Sequence, residues 1–402
     1  MLSAENTDES AVATSAVDEM KREEKQRMNI GYDAKRIVRN GSGLGNYGRT
    51  LINDLTRIVG DDTALYLYAP DPGKEHLRSQ VHPSDRLQFI YPGKTLVKSL
   101  WRSHGILKDL RRDGIDIFHG LSGELPWGIH ASGIRSVVTI HDLIFIRHPE
   151  YFYWWDAKIY AAKFHRTVKE ADRIIAISEC TKRDVVQLGG VSPDRIDVVY
   201  QSCDTSFRQV AAEDRKRQVR DRYKLPRRYV ISVGTIEKRK NILLAVKALH
   251  RLPEELSLVI VGRTTPYADQ VRKYVSDNKL DHRVLFLHNV PTADLPALYQ
   301  MAEAFVYPSR YEGFGIPVIE AIQSGLPVVA CTGSCLEEAG GPDCLYVSPD
   351  DDEAMAHALL QVVSGAEGRE ARIESAQRYV RRFEGGNVAA QVLNVYQRLV
   401  SR

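Results

Sequence analysis

The sequence of 402 residues lacks any run approaching the roughly 18 to 20 apolar residues that a helix needs to cross a bilayer. The longest candidate, between Ser136 and Ile146, is interrupted by His141 and Asp142. An excess of one charge sign is also missing, because 55 Lys and Arg stand against 52 Asp and Glu. Bulk nucleic-acid binding is therefore not expected. We predict a protein that is soluble or peripheral to a membrane.

Cysteine is scarce and odd in number, with five residues scattered along the chain. No secretory signal is evident, so a disulfide framework is not expected and a reducing cytoplasm is the simplest setting. Cys331, Cys335 and Cys344 are close in sequence, but no C-x-x-C pair and no nearby histidine complete a zinc set. We expect no metal site.

Length and composition predict the domain organisation. Residues 1–27, rich in Ser, Thr, Ala, Glu and Lys, are predicted to form a disordered N-terminal extension. The rest is too long for one core and alternates short apolar runs with amphipathic stretches, which indicates an α/β fold with parallel sheets. We expect Rossmann-like domains over 28–205 and 206–385, with a last helix, about 386–402, that joins the first domain.

Strands and helices can be placed along this pattern. The strands predicted in the first domain are Asn29–Asp33, Ala64–Tyr68, Leu87–Tyr91, Ile115–His119, Ser136–His141, Arg173–Ser178 and Ile196–Tyr200. Those predicted in the second domain are Tyr229–Val233, Leu258–Val261, Val284–Leu287, Ala304–Tyr307 and Pro327–Ala330. The main helices predicted in the first domain are Gly45–Ile58, Leu100–Arg112 and Trp155–Glu170.

The most informative segment, 309–321, reads as a glycine-containing loop and a helix start after a buried strand. Glu312 in the loop and Glu320 in the helix are eight residues apart, and both can face the N-terminus of the helix that Pro317 opens. Such carboxylates accept hydrogen bonds from sugar hydroxyls, while backbone N–H groups and the helix dipole favour phosphate. The backbone N–H groups expected to face the phosphate oxygens belong to Gly315, Ile316 and Val318. A nucleotide diphosphate sugar fits this pattern; the alternative is two solvated carboxylates beside a turn.

A basic loop, 234–241, follows the first strand of the second domain. Arg239 and Lys240 can neutralise the charge that grows on a leaving diphosphate, whereas Lys238 is expected to be solvated. The alternative is an ordinary exposed basic turn. Since ligands bind at the carboxyl ends of parallel strands, this loop and the two glutamates are expected to converge.

His141 ends a strongly apolar strand of the first domain. There it can reach across the cleft between the domains, and a neutral imidazole could orient the transferred sugar or the acceptor. The alternative is a core or capping histidine, with Asp142 as a helix cap.

Gly43, Gly45 and Gly48 match G-x-G-x-x-G. A dinucleotide site would need a strand that ends directly before the glycines and an acidic residue at the end of the next strand. In this sequence the strand Asn29–Asp33 ends well before the glycines, and no acidic residue ends the strand Ala64–Tyr68. We therefore do not expect NAD. We predict that the segment, with Tyr47, forms a flexible loop beside the acceptor or the diphosphate.

The stretch Lys98 to Arg112 mixes basic and apolar residues at helical spacing. It could contact anionic lipid headgroups, or it could be a helix with one buried face.

With His141-Asp142, the Lys240 loop and Glu312-Gly-Phe-Gly-Ile-Pro-Val-Ile-Glu320 in this order, the sequence resembles the retaining glycosyltransferases of family four. The resemblance covers Met28 to the C-terminus and implies the GT-B arrangement of two facing Rossmann-like domains. It implies a cytoplasmic hexosyltransferase that uses a nucleotide sugar without metal or cofactor. Mannose from GDP-mannose is one candidate donor, and a glycan or lipid-linked acceptor in surface polysaccharide synthesis is the implied partner.

The resemblance also implies roles for residues. Glu320 would bind the ribose and Glu312 the transferred sugar, with the donor loops supplying Gly234, Phe314, Gly315 and Ile316. Arg239 and Lys240 would hold the diphosphate, and His141 would lie at the reacting side of the sugar, so that His141, Glu312 and Lys240 are the candidate catalytic residues. Many members of the family have an arginine directly after the glycine of the basic loop, where this chain has Thr235. A sugar-nucleotide epimerase, a phosphorylase and a non-catalytic nucleotide-sugar binding protein are the alternatives.

Overall fold

The computed structural model describes residues 28–93 and 98–401. The predicted N-terminal extension, 1–27, lies outside this part of the chain.

The first domain contains a seven-stranded parallel sheet in the order β3-β2-β1-β4-β5-β6-β7. Its strands are β1 (Met28–Asp33), β2 (Thr63–Tyr68), β3 (Leu87–Ile90), β4 (Ile117–Gly120), β5 (Arg135–Ile140), β6 (Arg173–Ala176) and β7 (Ile196–Val198). All seven predicted strands are confirmed. The central strands are buried along almost their whole length, as expected of a parallel sheet covered on both faces.

The second domain contains a six-stranded parallel sheet in the order β10-β9-β8-β11-β12-β13. Its strands are β8 (Arg228–Val233), β9 (Leu256–Val261), β10 (Val284–Leu287), β11 (Ala304–Tyr307), β12 (Val328–Cys331) and β13 (Leu345–Val347). The five predicted strands are confirmed, and the fold is the predicted pair of Rossmann-like domains. The edge strand β13 was not predicted, because three half-buried residues carry too little apolar pattern.

Helices cover both sheets. Those of the first domain are Lys35–Arg39, Gly43–Ile58, Glu75–Arg78, Lys98–Leu100, Ile106–Arg112, Ile144–Arg147, Trp154–Glu170 and Glu179–Gly189. The later ones are Glu213–Tyr223, Ile242–Ala248, Tyr267–Asp277, Leu295–Gln300, Ile316–Gln323, Leu336–Gly340, Asp352–Leu360, Arg369–Val380 and Gly385–Val400. Across residues 28–93 and 98–401, none of the helices is both long enough and apolar enough to cross a bilayer.

The predicted helix Leu100–Arg112 is interrupted. A π-helical turn, Trp101–Gly105, separates Lys98–Leu100 from Ile106–Arg112. Four apolar side chains of the segment 98–112 are buried in the first domain: Trp101, Ile106, Leu107 and Leu110. The segment is therefore a helix with a buried face. Leu100 is 65% exposed, so most but not all of the predicted apolar surface is withdrawn from lipid.

The glycine segment around Gly43 and Tyr47 is not the flexible loop that we predicted. It forms the first turns of the helix Gly43–Ile58. Gly45 is required by a close approach, because a Cβ there would lie 1.8 Å from the carbonyl oxygen of Asn40. Tyr47 is buried, and its hydroxyl shares a hydrogen bond with Thr139 at 3.0 Å. Gly45, and Gly48 against Ile37, thus allow close packing of the chain, whereas a Cβ on Gly43 would meet no atom within 4 Å.

The last helix, predicted at about 386–402, is Gly385–Val400 and packs against Gly43–Ile58 in the first domain. Val388, Val392 and Tyr396 share a core with strands β1 and β2. The Tyr396 hydroxyl lies 2.6 Å from Nδ1 of the buried His119. The C-terminus of the chain is therefore part of the first domain's core, and 28–205 and 206–385 are retained as the proposed domain limits.

Candidate active site

The loop between β11 and the helix Ile316–Gln323 lies where the two domains meet. A Cβ on Gly313 would be 2.1 Å from the carbonyl oxygen of His141, so only glycine fits at this contact. The carbonyl of Gly313 also accepts a hydrogen bond from the Ser178 hydroxyl at 2.7 Å. The carboxyl ends of both sheets consequently face each other across this loop.

Glu312 is held in this loop by two cations from the loop after the neighbouring strand β8. Lys240 Nζ lies 2.5 Å from one carboxylate oxygen, and Arg239 Nη1 lies 2.8 Å from the other. Ser309 donates a further hydrogen bond, and the Tyr307 hydroxyl accepts one from Lys240 at 2.6 Å. The predicted convergence of the basic loop with Glu312 is thus observed.

The protonation state of Glu312 follows from these contacts. Burial by itself would raise the pKa of this carboxyl, but the charges of Lys240 and Arg239 outweigh it and lower the pKa to about 2. Glu312 is therefore ionised at neutral pH. It can accept hydrogen bonds from hydroxyl groups.

Glu320 lies in the helix Ile316–Gln323, on the side that faces Tyr299, whose hydroxyl donates to it at 3.2 Å. Burial raises the pKa of Glu320 to about 7, and the nearby charge of Asp204 adds to the rise. The two glutamates therefore differ sharply: Glu312 is a permanent anion, whereas Glu320 titrates near neutral pH.

The start of this helix offers fewer N–H groups than we predicted. The Val318 amide donates to the carbonyl of Gly315 at 2.9 Å, so it is not free for a ligand. Within residues 28–93 and 98–401, the amides of Gly315 and Ile316 have no backbone partner. The side chain of Phe314 is buried and stacks on Tyr200, 5.3 Å between ring centroids. Only the backbone of this segment is available at the site.

His141 makes hydrogen bonds through both ring nitrogens. Nε2 lies 2.8 Å from the carbonyl oxygen of Leu121, which can only accept, so Nε2 carries the proton. Nδ1 then accepts from the Gln201 amide at 2.8 Å. The ring packs edge-on against Tyr47, and burial lowers the pKa of His141 to about 4. His141 is therefore a neutral imidazole with one defined tautomer.

Asp142, beside His141, caps the following turn by accepting from the Ile144 amide at 3.2 Å. Burial raises the pKa of this carboxyl, while Arg239 lowers it and Glu312 raises it further. Asp142 thus belongs to the electrostatic neighbourhood of the Glu312 pair, which the sequence did not indicate.

A cleft of about 560 Å³ opens beside these residues. The first domain lines it with His141, Asp142, Tyr151, Tyr160 and Lys163 among others, and the second with Glu237, Lys238 and Arg239. Lys238, predicted to be solvated, is exposed at its rim. Gly234 is the first residue of the basic loop, and a Cβ on it would lie 3.9 Å from side-chain atoms of Lys240 and Tyr307. The described residues contain no group of three His, Cys, Asp or Glu side chains arranged to hold a metal ion.

Several supporting contacts had no signal in the sequence. Tyr311 donates from its hydroxyl to Asp184 of the first domain at 2.6 Å. Glu338 accepts from the amides of Glu179 and Cys180 at 2.7 and 2.8 Å. These partners are more than 100 residues apart, and no local pattern connects them.

Comparisons with known proteins identify the family of the chain. Two family models match, Glycosyltransferase Family 4 over residues 41–207 and Glycosyl transferases group 1 over 214–379. The O-antigen chain mannosyltransferase RfbU of Salmonella typhimurium is 30% identical over 262 residues, 65% of this chain and 69% of that protein. The O-antigen chain mannosyltransferase B of Escherichia coli is 29% identical over 288 residues, 70% of this chain and 74% of that protein.

The fold has solved counterparts. Anabaena HepE, solved in complex with UDP-glucose, has a TM-score of 0.71 at 17% identity and covers 92% of this chain and 99% of its own. The two facing parallel sheets therefore have the GT-B fold. The chain belongs to the group 1 glycosyltransferases of family four.

The paired charges at Glu312 lead to a stability prediction. Glu312→Gln leaves the nearly buried Lys240 without a carboxylate and Arg239 with only the partly exposed Glu237, so the free energy of unfolding should fall by about 3 to 5 kcal/mol in urea titrations. Glu237→Gln is the matched control, because Glu237 also pairs with Arg239, at 2.7 Å, but is 35% exposed. Its loss should be below about 1 kcal/mol. Equal losses in the two variants would show that Glu312 is not the centre of this charge cluster.

Proposed function

We propose that the protein transfers a hexose, with retention of anomeric configuration, from a nucleotide diphosphate sugar to a glycan or lipid-linked acceptor during synthesis of a surface polysaccharide. The observation that carries the proposal is the pairing of Glu312 with Arg239 and Lys240 at the boundary of the two domains. It supports the proposal because an ionised carboxylate can accept hydrogen bonds from sugar hydroxyls and the two cations beside it suit a diphosphate.

Each candidate residue has a role in this proposal. Glu320 binds the ribose hydroxyls, and Glu312 binds hydroxyls of the transferred sugar. Arg239 and Lys240 hold the diphosphate, and Lys240 uses the N–H group that its bonds to Tyr307 and Glu312 leave free. Backbone groups of Gly234, Phe314, Gly315 and Ile316 complete the donor site.

The proposed reaction breaks the bond between the sugar's anomeric carbon and the diphosphate oxygen, and the electron pair leaves with the diphosphate. The acceptor hydroxyl attacks from the same face, and its proton passes to the departing phosphate oxygen. The two cations and the helix N-terminus stabilise the growing negative charge, and we propose that neither metal nor cofactor takes part. His141, neutral and with its proton on Nε2, fixes the wall on the reacting side of the sugar.

GDP-mannose is the proposed donor. The support comes from the relatives, since both curated proteins described above are O-antigen chain mannosyltransferases. The UDP-glucose complex of HepE, at 17% identity, makes UDP-sugars the first competitors.

Donor binding and product analysis test this proposal. GDP-mannose should raise the melting temperature more than UDP-, ADP- or dTDP-sugars do, because a ligand that binds only the folded state stabilises it. With a labelled acceptor, a glycoside with retained configuration should form. Release of an isomerised nucleotide sugar would indicate an epimerase, a requirement for inorganic phosphate would indicate a phosphorylase, and binding without turnover would indicate a binding protein.

The pKa of Glu320 leads to a pH prediction. Because the ionised carboxylate is the stronger acceptor for ribose hydroxyls, the dissociation constant of the nucleotide sugar should rise by up to about tenfold per pH unit as the pH falls below about 7. Calorimetry with an intact nucleotide sugar measures this, since its diphosphate diester does not titrate there. Glu320→Gln should abolish the dependence, and the exposed Glu367→Gln should keep it. A pH-independent affinity in the native protein would refute the ribose role of Glu320.

We also propose a cytoplasmic location with peripheral membrane contact, through a surface different from the predicted one. The aromatic patch (Tyr153, Trp154, Trp155 and Ile159) begins the helix Trp154–Glu170, and its side chains are 48 to 69% exposed. Lys158 lies over the Trp154 ring at 5.0 Å. Exposed aromatic rings beside basic groups suit the headgroup region of an anionic bilayer.

Flotation with lipid vesicles tests this contact. The native protein should float with vesicles that contain phosphatidylglycerol and less with pure phosphatidylcholine, because the basic residues need anionic lipid. Trp154→Ser combined with Trp155→Ser should remove this binding. Leu360→Ser, which alters an exposed apolar side chain of the second domain, should leave it unchanged. Undiminished flotation of the tryptophan variant would exclude the aromatic patch.

A further inference from the structure

A second cavity, of about 290 Å³, lies within the first domain beside the cleft. This basic cavity is bounded by the end of β1, the turn Trp101–Gly105, the loop Glu124–Trp127 and the helix Trp154–Glu170. Its charged lining residues are the cations Lys35, Arg39, Lys98, Arg102, Lys163 and Arg166 and the carboxylates Asp33 and Glu124. The excess of positive charge favours an anionic ligand.

The two carboxylates are already engaged by part of this set. Arg102 pairs with Asp33 at 2.7 Å and also with Glu124. Lys163 lies 3.2 Å from the other oxygen of Glu124. Both carboxylates are thus neutralised within the cavity wall, and two further cations, Arg39 and Lys98, are paired with Asp71. The remaining cations, Lys35 and Arg166, have no ion pair among the described residues.

Lys35 is one of these remaining cations. Within residues 28–93 and 98–401 its ammonium group makes no hydrogen bond and no ion pair. Burial lowers the pKa of Lys35 and the charge of Arg102 lowers it further, whereas the charges of Glu124 and Asp33 act in the opposite direction. An anion between Lys35 and Arg102 would remove this repulsion.

Arg166 is the second such cation. Its guanidinium lies over the Trp127 ring, 3.8 Å from the centroid, and has no carboxylate within ion-pair distance in the described chain. Stacking leaves the N–H groups at the edge of the guanidinium free, and these match the oxygens of a phosphate. Trp127 therefore fixes Arg166 in a position from which it can bind an anion.

The basic cavity and the cleft are neighbours. Glu124 and Lys163 line both of them. One molecule can therefore place a hydroxyl group in the cleft, near His141, and an anionic group beyond the Glu124–Lys163 pair.

We propose that the basic cavity binds the phosphate or diphosphate group of the acceptor saccharide, chiefly through Lys35 and Arg166, while the acceptor's hydroxyl enters the cleft. The assignment of the anion to the acceptor rests on the proposed transfer reaction. The anion site itself does not, so the two can fail separately.

Calorimetry with inorganic pyrophosphate tests the site. The donor site is first saturated with GDP or UDP, whichever raises the melting temperature more, so that pyrophosphate reports on the basic cavity. The native protein should bind it, and Lys35→Gln combined with Arg166→Gln should raise the dissociation constant at least about tenfold, since each removes a charge-assisted contact. Nucleotide binding should stay unchanged.

Two controls test whether the effect is specific to these residues. The double variant with Lys35→Arg and Arg166→Lys preserves both charges and should retain most of the affinity for pyrophosphate. Lys169→Gln, which removes an exposed charge from the same helix, should bind pyrophosphate as the native protein does. The proposal is overturned if the native protein binds no pyrophosphate, if the glutamine variant binds it equally well, or if Lys169→Gln loses as much.

A final comparison distinguishes the sources of the phosphate. Glucose 1-phosphate represents a soluble phosphorylated saccharide, and phosphatidylcholine vesicles with a polyprenyl diphosphate represent a lipid-linked one. Competition with bound pyrophosphate by either supports the site and identifies its source. Failure of both to compete would overturn the assignment to the acceptor. If instead no nucleotide sugar binds anywhere, the proposed transfer fails while the anion site stands on the pyrophosphate result.

Discussion

The charge compensation of Glu312 by Arg239 and Lys240 is the interaction on which the rest of the site depends. The partners belong to loops that follow β8 and β11, which are adjacent in the sheet although about 70 residues separate them in sequence. A single carboxylate buried at this depth would be too costly to keep ionised, and two unpaired cations would be equally unfavourable. Glu312, Arg239 and Lys240 together form a compact polar cluster that can pack against the first domain.

Contacts between the domains then hold this cluster in place. Gly313 touches the backbone at His141, and Tyr311 reaches Asp184 with its hydroxyl. Glu338 of the second domain accepts from the first amides of the helix Glu179–Gly189, where the helix dipole favours a negative charge. These polar contacts orient the carboxyl ends of the two sheets toward each other, so that the cleft is built from both.

The first domain contributes shape and charge more than reactive groups. His141 is neutral, and both of its nitrogens are engaged with Leu121 and Gln201, one following β4 and the other near the end of the domain. The cationic excess lies farther along the same domain, in the basic cavity, where Lys35 and Arg166 lack carboxylate partners among the described residues. The cluster around Glu312, with balanced charges, and the basic cavity, with excess positive charge, give the cleft two chemically different ends.

Much of the fold could be read from the sequence. Buried parallel strands are short continuous apolar runs, so that twelve of the thirteen strands had a local signal, and only β13, with three half-buried residues, had none. The glycines at 43, 45 and 48 were wrongly predicted to form a loop, because glycine is permissive and its local signal does not show a close approach such as that of Gly45 to Asn40. The apolar side of 98–112 was equally ambiguous until the neighbouring core covered it.

The sequence by itself determined the two-domain α/β architecture, the family, and the candidate residues Glu312, Glu320, Arg239, Lys240 and His141, because these depend on periodicity and on local motifs. The tertiary structure alone decided which of them touch, and how their environments shift their protonation. Glu312 and Glu320 are chemically identical in the sequence, yet nearby cations lower the pKa of one to about 2 while burial raises that of the other to about 7. Burial and charge at distances of a few ångströms are set by residues far away along the chain, and no local pattern contains them.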